Sequence, residues 1–145
     1  SLRIIEGQAE EKGIVVSVSE HENVPRIVGD PEFLRSVFNN LFINAVQAME
    51  GTGGKLNVRI SPSEDASSVN FEIADTGGGI PEENLGSIFE PYFSTKETGT
   101  GLGLAIVKKI LDIHNGEITV RSTLEEGTIF SILIPADSDA TAPLA

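Results

Sequence analysis

The spacing of apolar residues along the chain predicts two substantial helices. After Asp30 and Pro31, apolar residues recur every three or four positions until about Met49, as in a helix that buries one face. Aspartate followed by proline is typical of a helix start, because the aspartate caps free amides and proline fits the first helical position. A second helical pattern runs from about residue 101 to residue 113 and ends at Asn115-Gly116, a pair suited to a left-handed cap.

Alternation of apolar and polar residues predicts five strands. The first strand is predicted from the alternation through Ile14, Val16 and Val18. The other four strands are predicted over residues 56–61, 69–74, 117–122 and 128–134. Polar turns join the second strand to the third and the fourth to the fifth, which is typical of antiparallel hairpins. The pattern predicts an α/β two-layer sandwich, in which about three helices cover one face of a mixed, mostly antiparallel sheet.

Both ends of the chain are predicted to lie outside this domain. Residues 1–12 have the pattern of the end of a preceding helix or linker, closed by Gly13, and residues 13–135 form the domain itself. Residues 136–145 are rich in Ala, Asp and Pro and are expected to be disordered. A short helix is predicted near residues 82–89. Because the chain begins at Ser1 without a signal-peptide pattern, we expect it to continue a longer protein.

Composition narrows the classes of function. The 145 residues include 10 Lys+Arg against 22 Asp+Glu, and the net charge of −12 opposes sequence-independent nucleic-acid binding and direct contact with an anionic membrane. The absence of cysteine excludes disulfides, thiol catalysis and cysteine-ligated metals, and it is compatible with a cytoplasmic setting. A small phosphate-bearing ligand stays compatible with this charge, because a few helix-end amides and one lysine can hold phosphates.

Two asparagines stand on the long predicted helix. Asn40 and Asn44 are four residues apart, so their carboxamides project from one face. Asparagine is a poor helix former, so the presence of two asparagines on this helix calls for an explanation. One interpretation is that both side chains bond to local backbone groups, and the other is that they offer neutral oxygen ligands to Mg²⁺.

Two glycine-rich segments follow the hairpin. Residues 75–79 read Asp-Thr-Gly-Gly-Gly, and Asp75 either forms an Asx-type turn or accepts a hydrogen bond from an amine such as adenine N6, where guanine has a carbonyl. Residues 99–104 read Gly-Thr-Gly-Leu-Gly-Leu and open a helix, where free amides favour an anion. Their spacing is neither that of a P-loop nor that of a dinucleotide fingerprint. Lys96 either reaches a phosphate or is a solvated loop lysine.

In their order along the chain, five motifs resemble the catalytic and ATP-binding domain of sensor histidine kinases, members of the GHKL superfamily. The motifs are the two asparagines, the first glycine segment, the run from Phe89 to Phe93, the second glycine segment and Gly127-Thr128. The resemblance covers residues 29–135 and implies the left-handed α/β sandwich called the Bergerat fold. The run from Phe93 to Leu104 looks most similar to the nitrogen-regulation class of these kinases.

The resemblance implies a role for each matching residue, with ATP and Mg²⁺ as the cofactors. Asn44 would coordinate Mg²⁺, with Asn40 beside it, and Lys96 would supply positive charge from the lid over the phosphates. Asp75 would read the adenine amino group, and Thr128 would lie near the adenine. The other residues implied to contact the nucleotide are Gly77, Gly79, Ile80, Phe89, Phe93, Gly99, Gly101, Leu102 and Gly103.

Two departures from the family pattern bear on the reaction. The lid is short, and Ser94 stands where many of these kinases have arginine, which leaves Lys96 to provide most of the charge. In ATPases of the superfamily, a glutamate that activates water matches Asn40, and a carboxamide cannot act as that base. The resemblance therefore implies transfer of the γ-phosphoryl group to a protein histidine. A GHKL ATPase, a serine protein kinase and a non-catalytic nucleotide-sensing module are the alternatives.

The histidine that accepts the phosphoryl group is not expected in this chain. His21 begins a sequence similar to a phosphoacceptor box, but its proline comes one residue early and its surroundings read as a loop. His114 stands at a helix end, where a partly exposed histidine is ordinary. The implied partners are a helical dimerisation and phosphoacceptor domain of the same protein and a response-regulator receiver domain downstream. The domain is expected in the cytoplasm, with any membrane anchor elsewhere in the protein.

Overall fold

A computed structural model describes residues 2–93 and 103–137, with side chains from residue 7 onward. In chain order its elements are α1 (Leu2–Glu11), β1 (Ile14–Glu20), α2 (Pro31–Ala48), β2 (Gly54–Pro62), β3 (Ser68–Asp75), α3 (Glu82–Leu85), α4 (Gly103–Ile113), β4 (Glu117–Thr123) and β5 (Gly127–Pro135). Each predicted strand and helix is present. The start predicted for the second long helix, near residue 101, lies outside the described residues.

The five strands form one sheet in the order β1-β2-β3-β5-β4. β1 and β2 are parallel, and the other three pairs are antiparallel. The parallel pair requires a crossover, and α2 provides it. α1, α2 and α4 pack side by side along one layer, so the predicted α/β sandwich with a mixed, mostly antiparallel sheet is confirmed.

The core lies between this helical layer and one face of the sheet. α2 and α4 bury apolar stripes against strand residues that alternate inward, and burial of each large side chain contributes about 1.5–3 kcal/mol. Phe38 on α2 packs against Phe71 on β3 with their ring centroids 4.9 Å apart. The largest fully buried side chains are Leu41, Met49, Leu56, Ile73, Leu111, Phe130, Ile132, Ile134, Val37, Val69 and Val107.

The predicted caps of both long helices are present. Asp30 Oδ1 accepts the Glu32 amide at 2.9 Å at the start of α2. α4 ends in a Schellman motif, in which the Gly116 amide donates to the Leu111 carbonyl at 2.7 Å and the Asn115 amide donates to the Asp112 carbonyl at 3.2 Å. The left-handed residue is Asn115, with φ 57°. These bonds fix where α2 begins and where α4 ends.

His114 joins the two capped ends. Its Nε2 accepts the Asp30 amide at 3.1 Å, and its Nδ1 lies 2.8 Å from the Ile110 carbonyl oxygen, to which it donates. The Phe33 ring stands edge-on to the imidazole, with centroids 6.4 Å apart. His114 therefore has a structural role between α2 and α4, as expected for a histidine at a helix end.

The described chain continues two residues beyond the predicted end of the domain, and both residues are hydrogen-bonded. The Ala136 amide donates to the Ser67 carbonyl at 2.8 Å and the Asp137 amide donates to the Arg26 carbonyl at 2.7 Å. The predicted tail therefore begins too early at residue 136, because these backbone groups pair with neighbouring loops. Residues 138–145 lie outside the described residues. Within the described ranges, no helix is long and apolar enough to cross a membrane.

Candidate functional site

Three neighbouring strands each end their inward-facing apolar row with a polar side chain. On β3 the row Val69, Phe71, Ile73 ends at Asp75, on β5 the row Phe130, Ile132, Ile134 begins after Thr128, and on β4 the row Ile118, Val120 ends at Ser122. The strand register places Asp75 opposite Thr128 and Thr128 opposite Ser122. Asp75, Thr128 and Ser122 therefore form a polar row across one edge of the core.

Asp75 and Thr128 are the buried polar side chains among the described residues, with 6% and 4% of their surface exposed. Burying a carboxylate carries a large desolvation cost unless hydrogen bonds satisfy it. One such bond comes from the Gly77 amide, which donates to Asp75 Oδ1 at 2.9 Å. The Asx-type turn that the sequence left open is therefore present, and it fixes a buried carboxylate at the edge of the helical layer.

The three glycines after Asp75 have different surroundings. A Cβ on Gly77 would lie 2.6 Å from the Ala48 carbonyl oxygen, at the end of α2. Gly79 has φ 78°, and a Cβ there would overlap the Thr123 carbonyl, whereas Gly78 has no such neighbour within 4 Å. The packing of the fold itself therefore requires glycine at 77 and 79. Their contact with a nucleotide stays a prediction.

Asn40 faces the first residue of α4. Its Nδ2 donates to the Ser36 carbonyl at 2.8 Å and lies 3.4 Å from Ser36 Oγ. Its Oδ1 lies 3.1 Å from the point that a Cβ of Gly103 would occupy. The hydrogen bond to a local backbone group, which was one of the two interpretations of Asn40 from the sequence, is therefore present. It turns the carbonyl oxygen of Asn40 toward α4. Asn44 is half-buried one turn further along α2.

The other predicted residues of the described chain support this edge of the core. The Phe89 ring stands edge-on to Phe130, with centroids 6.4 Å apart, and Phe93 packs against the same core. The Ile80 amide donates to Ser122 Oγ at 2.7 Å. Phe89, Phe93 and Ile80 therefore have packing roles beside any role toward a ligand.

Part of the predicted phosphate site cannot be placed. Lys96, Gly99, Gly101 and Leu102 lie outside the described residues. Gly103 is described and opens α4. The roles of these five residues toward phosphates stay predictions.

Two serines that contact the predicted site were not singled out in the sequence. Ser36 fixes the carboxamide of Asn40, and Ser122 contacts both Ile80 and Thr128. The sequence pattern could have identified Ser122, because it is the polar member of the inward-facing row Ile118, Val120, Ser122 on β4. Ser36 gave no comparable signal, since serine one turn before asparagine is common on a helix surface.

The whole segment that carries these features matches a known protein family. The family is described as histidine kinase-, DNA gyrase B- and HSP90-like ATPase, and the match covers residues 29–138. The chain belongs to this family.

Named relatives within the family are kinases. The chain is 37% identical over 137 residues to the sensor histidine kinase ZraS of Escherichia coli strain K12, and 42% identical over 132 residues to sporulation kinase A of Bacillus subtilis. These matches cover 94% and 91% of the chain but 29% and 21% of the relatives. The predicted resemblance to sensor histidine kinases is confirmed, and the nitrogen-regulation class stays a prediction.

Solved structures of histidine kinases share the fold. Full-length ShkA in complex with AMPPNP superposes with a TM-score of 0.84 at 31% identity, over 96% of this chain and 29% of that protein. The nucleotide-free catalytic domain of histidine kinase ThkA superposes with a TM-score of 0.78 at 31% identity, over 93% of this chain and 90% of that domain. The chain therefore corresponds to a catalytic domain, and it spans under a third of the full-length relatives.

Proposed function

We propose that this domain binds Mg·ATP and transfers the γ-phosphoryl group to a histidine on a separate helical dimerisation domain of the same protein. The observation that carries the proposal is the buried pair Asp75 and Thr128, which stands in register at the end of the sheet, beside α2. AMPPNP is bound in the similar structure of ShkA, and the named relatives are a sensor histidine kinase and a sporulation kinase.

α2 relates the two ends of the proposed nucleotide site. Its last residue, Ala48, contacts Gly77 in the turn that follows Asp75, and Asn40 contacts Gly103 at the start of α4. Eight residues of helix separate these contacts, which is about 12 Å along the axis. A nucleotide with its base at Asp75 would therefore extend along α2 toward Asn44, Asn40 and the amides at the start of α4.

Asp75 gives the site its preference for adenine. A carboxylate accepts hydrogen bonds and cannot donate them when ionised, so it suits the exocyclic amine of adenine. Guanine has a carbonyl oxygen at that position, which would face the carboxylate without a hydrogen between them. Burial makes this mismatch costly, since an unsatisfied buried polar group loses its full solvation.

The asparagines fit a magnesium ion held together with phosphates. Mg²⁺ prefers hard oxygen ligands and keeps several waters, so one or two protein oxygens suffice beside the phosphates. Ser36 turns the Asn40 carbonyl oxygen toward α4, and Asn44 lies one turn away on the same helix. We assign Asn44 as the ligand, and the ion when bound would neutralise charge on the phosphates.

The protein contributes position more than covalent chemistry to this reaction. The acceptor imidazole would form the N–P bond while the bond from the γ-phosphorus to the bridging oxygen breaks, ADP leaves, and the imidazole proton passes to solvent. Asn40 cannot remove a proton from water, which disfavours hydrolysis. Lys96 would add positive charge near the phosphates. A response-regulator receiver domain would then accept the phosphoryl group from the histidine.

Phosphotransfer to the helical domain tests this proposal. The chain is mixed with labelled ATP, Mg²⁺ and the helical domain of its own full-length protein, and the helical domain is examined for a phosphoryl group that is acid-labile and base-stable. We expect transfer that requires both proteins, with little phosphate release by the chain alone.

Two variants and two outcomes make the experiment decisive. His21→Ala should transfer as well as the parent chain, because His21 is exposed in a loop, whereas Asp75→Ala should not transfer. Rapid phosphate release by the isolated chain would indicate an ATPase. Bound ATP without transfer to any side chain of the helical domain would indicate a nucleotide-sensing module, and either result overturns the kinase proposal.

A further inference from the structure

The hydroxyl of Ser122 has three polar neighbours and a single proton. The Ile80 amide donates to Ser122 Oγ at 2.7 Å, the Gly127 carbonyl oxygen lies 3.0 Å away, and Thr128 Oγ1 lies 2.9 Å away. A serine hydroxyl donates one hydrogen bond and accepts two. The three contacts can therefore be satisfied together only in one arrangement.

That arrangement follows from the chemistry of the neighbours. The Gly127 carbonyl can only accept, so the proton of Ser122 must point to it. Ser122 then accepts from the Ile80 amide and from the hydroxyl of Thr128. If Ser122 donated to Thr128 instead, its oxygen would face the Gly127 oxygen without a proton between them. Full satisfaction of these part-buried groups makes Thr128 the donor toward Ser122.

We propose that Ser122 is a positioning residue that makes the Thr128 hydroxyl an acceptor toward the nucleotide base. The inference rests on the proposed binding of ATP beside Asp75. With its proton committed to Ser122, Thr128 has only lone pairs left for the site. Asp75, its register partner on β3, is an acceptor as well. The two buried side chains would then present acceptors together, which favours a base with an exocyclic amine over one with a carbonyl.

Ser122 also links the parts that shape this end of the site. It connects Ile80 after the glycine segment, the turn at Gly127 and Thr128 on β5 through one oxygen. Gly127 packs closely against the end of β3, since a Cβ at this residue would overlap the Asp75 carbonyl. Loss of the Ser122 hydroxyl would free Thr128 to rotate and donate, without removing any group that would contact the base.

Nucleotide selectivity tests the inference. Binding of ATP and of inosine triphosphate, which carries a carbonyl in place of the adenine amine, is measured by calorimetry for the parent chain, Ser122→Ala and Ser122→Thr. We expect Ser122→Ala to reduce the preference for ATP about fivefold, the size of one net hydrogen bond, by weakening ATP and tightening inosine triphosphate. Ser122→Thr keeps the hydroxyl and should restore the preference.

The controls separate positioning from general support. Ser131→Ala removes a serine from the opposite face of β5 and should leave the preference unchanged. Thr128→Val should lower the preference to the level of Ser122→Ala, and the double variant should lower it no further. If Ser122→Ala fails to fold, Ser122→Cys replaces it, because a thiol donates and accepts only weakly.

Each result bears on a distinct claim. An unchanged ratio of affinities in Ser122→Ala, or an equal loss for both nucleotides, would overturn the role of Ser122 while leaving ATP binding in place. Absence of ATP binding by the parent chain would overturn the proposed function, and this inference with it.

Discussion

At the scale of single residues, hydrogen bonds decide what each carboxylate does. Asp75 is the last residue of β3 and Asp65 lies in the turn between β2 and β3, and both accept hydrogen bonds from backbone amides. Asp75 is buried at the edge of the core, whereas Asp65 is exposed in the β2–β3 turn. The same side chain therefore serves a proposed ligand site in one place and a turn in the other.

Substitution of Asp75 and Asn44 should affect different aspects of nucleotide binding. Asp75→Ala removes the acceptor for the base and should weaken ATP binding at least roughly 10- to 100-fold, the range for hydrogen bonds to a charged group. For Asn44→Ala, we expect the affinity for ATP measured with Mg²⁺ to differ less from the affinity measured with a chelator than it does in the parent chain. Calorimetry with and without Mg²⁺ measures both effects, and Asp112→Ala on the exposed side of α4 is the control. Equal binding of GTP and ATP by the parent chain would contradict the role of Asp75.

Asp65 should titrate at unusually low pH. Hydrogen bonds from the Ser67 hydroxyl, the Ser67 amide and the Ser63 hydroxyl lower the pKa of Asp65 from 3.8 to about 2. Because the folded pKa lies below the unfolded value, the contribution to stability is present above pH 3.8 and is lost as the pH falls toward 2. Carboxyl NMR should show the low midpoint, and Ser67→Ala should raise it. If the midpoint of Asp65 in Ser67→Ala equals that of the parent chain, the hydrogen bonds from Ser67 are not the cause of the low pKa. Ser131→Ala is the control.

At the scale of elements, the helices and strands follow the sequence pattern while their contacts do not. Asp30 and Asn115 mark the ends of two helices with side-chain and backbone bonds that are local in sequence, so they were predictable. The contact between Gly77 and Ala48 joins a turn to the end of a helix 29 positions earlier. No local pattern reports such a contact, so the sequence analysis gave Gly77 only as a residue implied to contact the nucleotide.

Alanine substitution of adjacent glycines should separate packing from flexibility. Gly77→Ala places a Cβ 2.6 Å from the Ala48 carbonyl oxygen and should lower the free energy of unfolding by about 1–3 kcal/mol. Gly78→Ala meets nothing within 4 Å and should change it by no more than about 1 kcal/mol. Urea unfolding of both variants measures the difference. If the two variants lose similar amounts of unfolding free energy, the contact with α2 does not constrain residue 77.

At the scale of the whole molecule, the net charge of the chain opposes the binding of a nucleotide, and the length of the chain bears on where the acceptor histidine lies. The chain carries a net charge of −12, and ATP is itself an anion, so long-range electrostatics oppose their association. Amides, a lysine and a bound cation would have to overcome this repulsion locally. The chain also spans only 29% of ZraS, and the acceptor histidine is proposed to lie elsewhere in the full protein.

Nucleotide should stabilise the folded domain in a metal-dependent way. A ligand that binds only the folded state at 100 times its Kd adds about 2.7 kcal/mol to the free energy of unfolding. We expect thermal unfolding to shift upward with ATP and Mg²⁺, and to shift much less with ATP and a chelator. Mg²⁺ without nucleotide is the control. An equal shift in the chelator would show that the site binds ATP without the ion.

The sequence by itself determined the elements, the two-layer class and the order of motifs, because these depend on periodicity and on neighbours close along the chain. Asn40 and Asp75 were singled out from local motifs, and Thr128 was implied by the resemblance to sensor histidine kinases, although the burial and the partners of these residues were not predicted. Only the tertiary structure decided that Asp75, Thr128 and Ser122 stand side by side, because strand order and register bring Asp75 together with residues 47 and 53 positions later. Long-range pairing also decided that Gly77 and Gly79 are needed by the fold itself. The geometry between strands, which no local pattern encodes, made a serine part of the proposed adenine site.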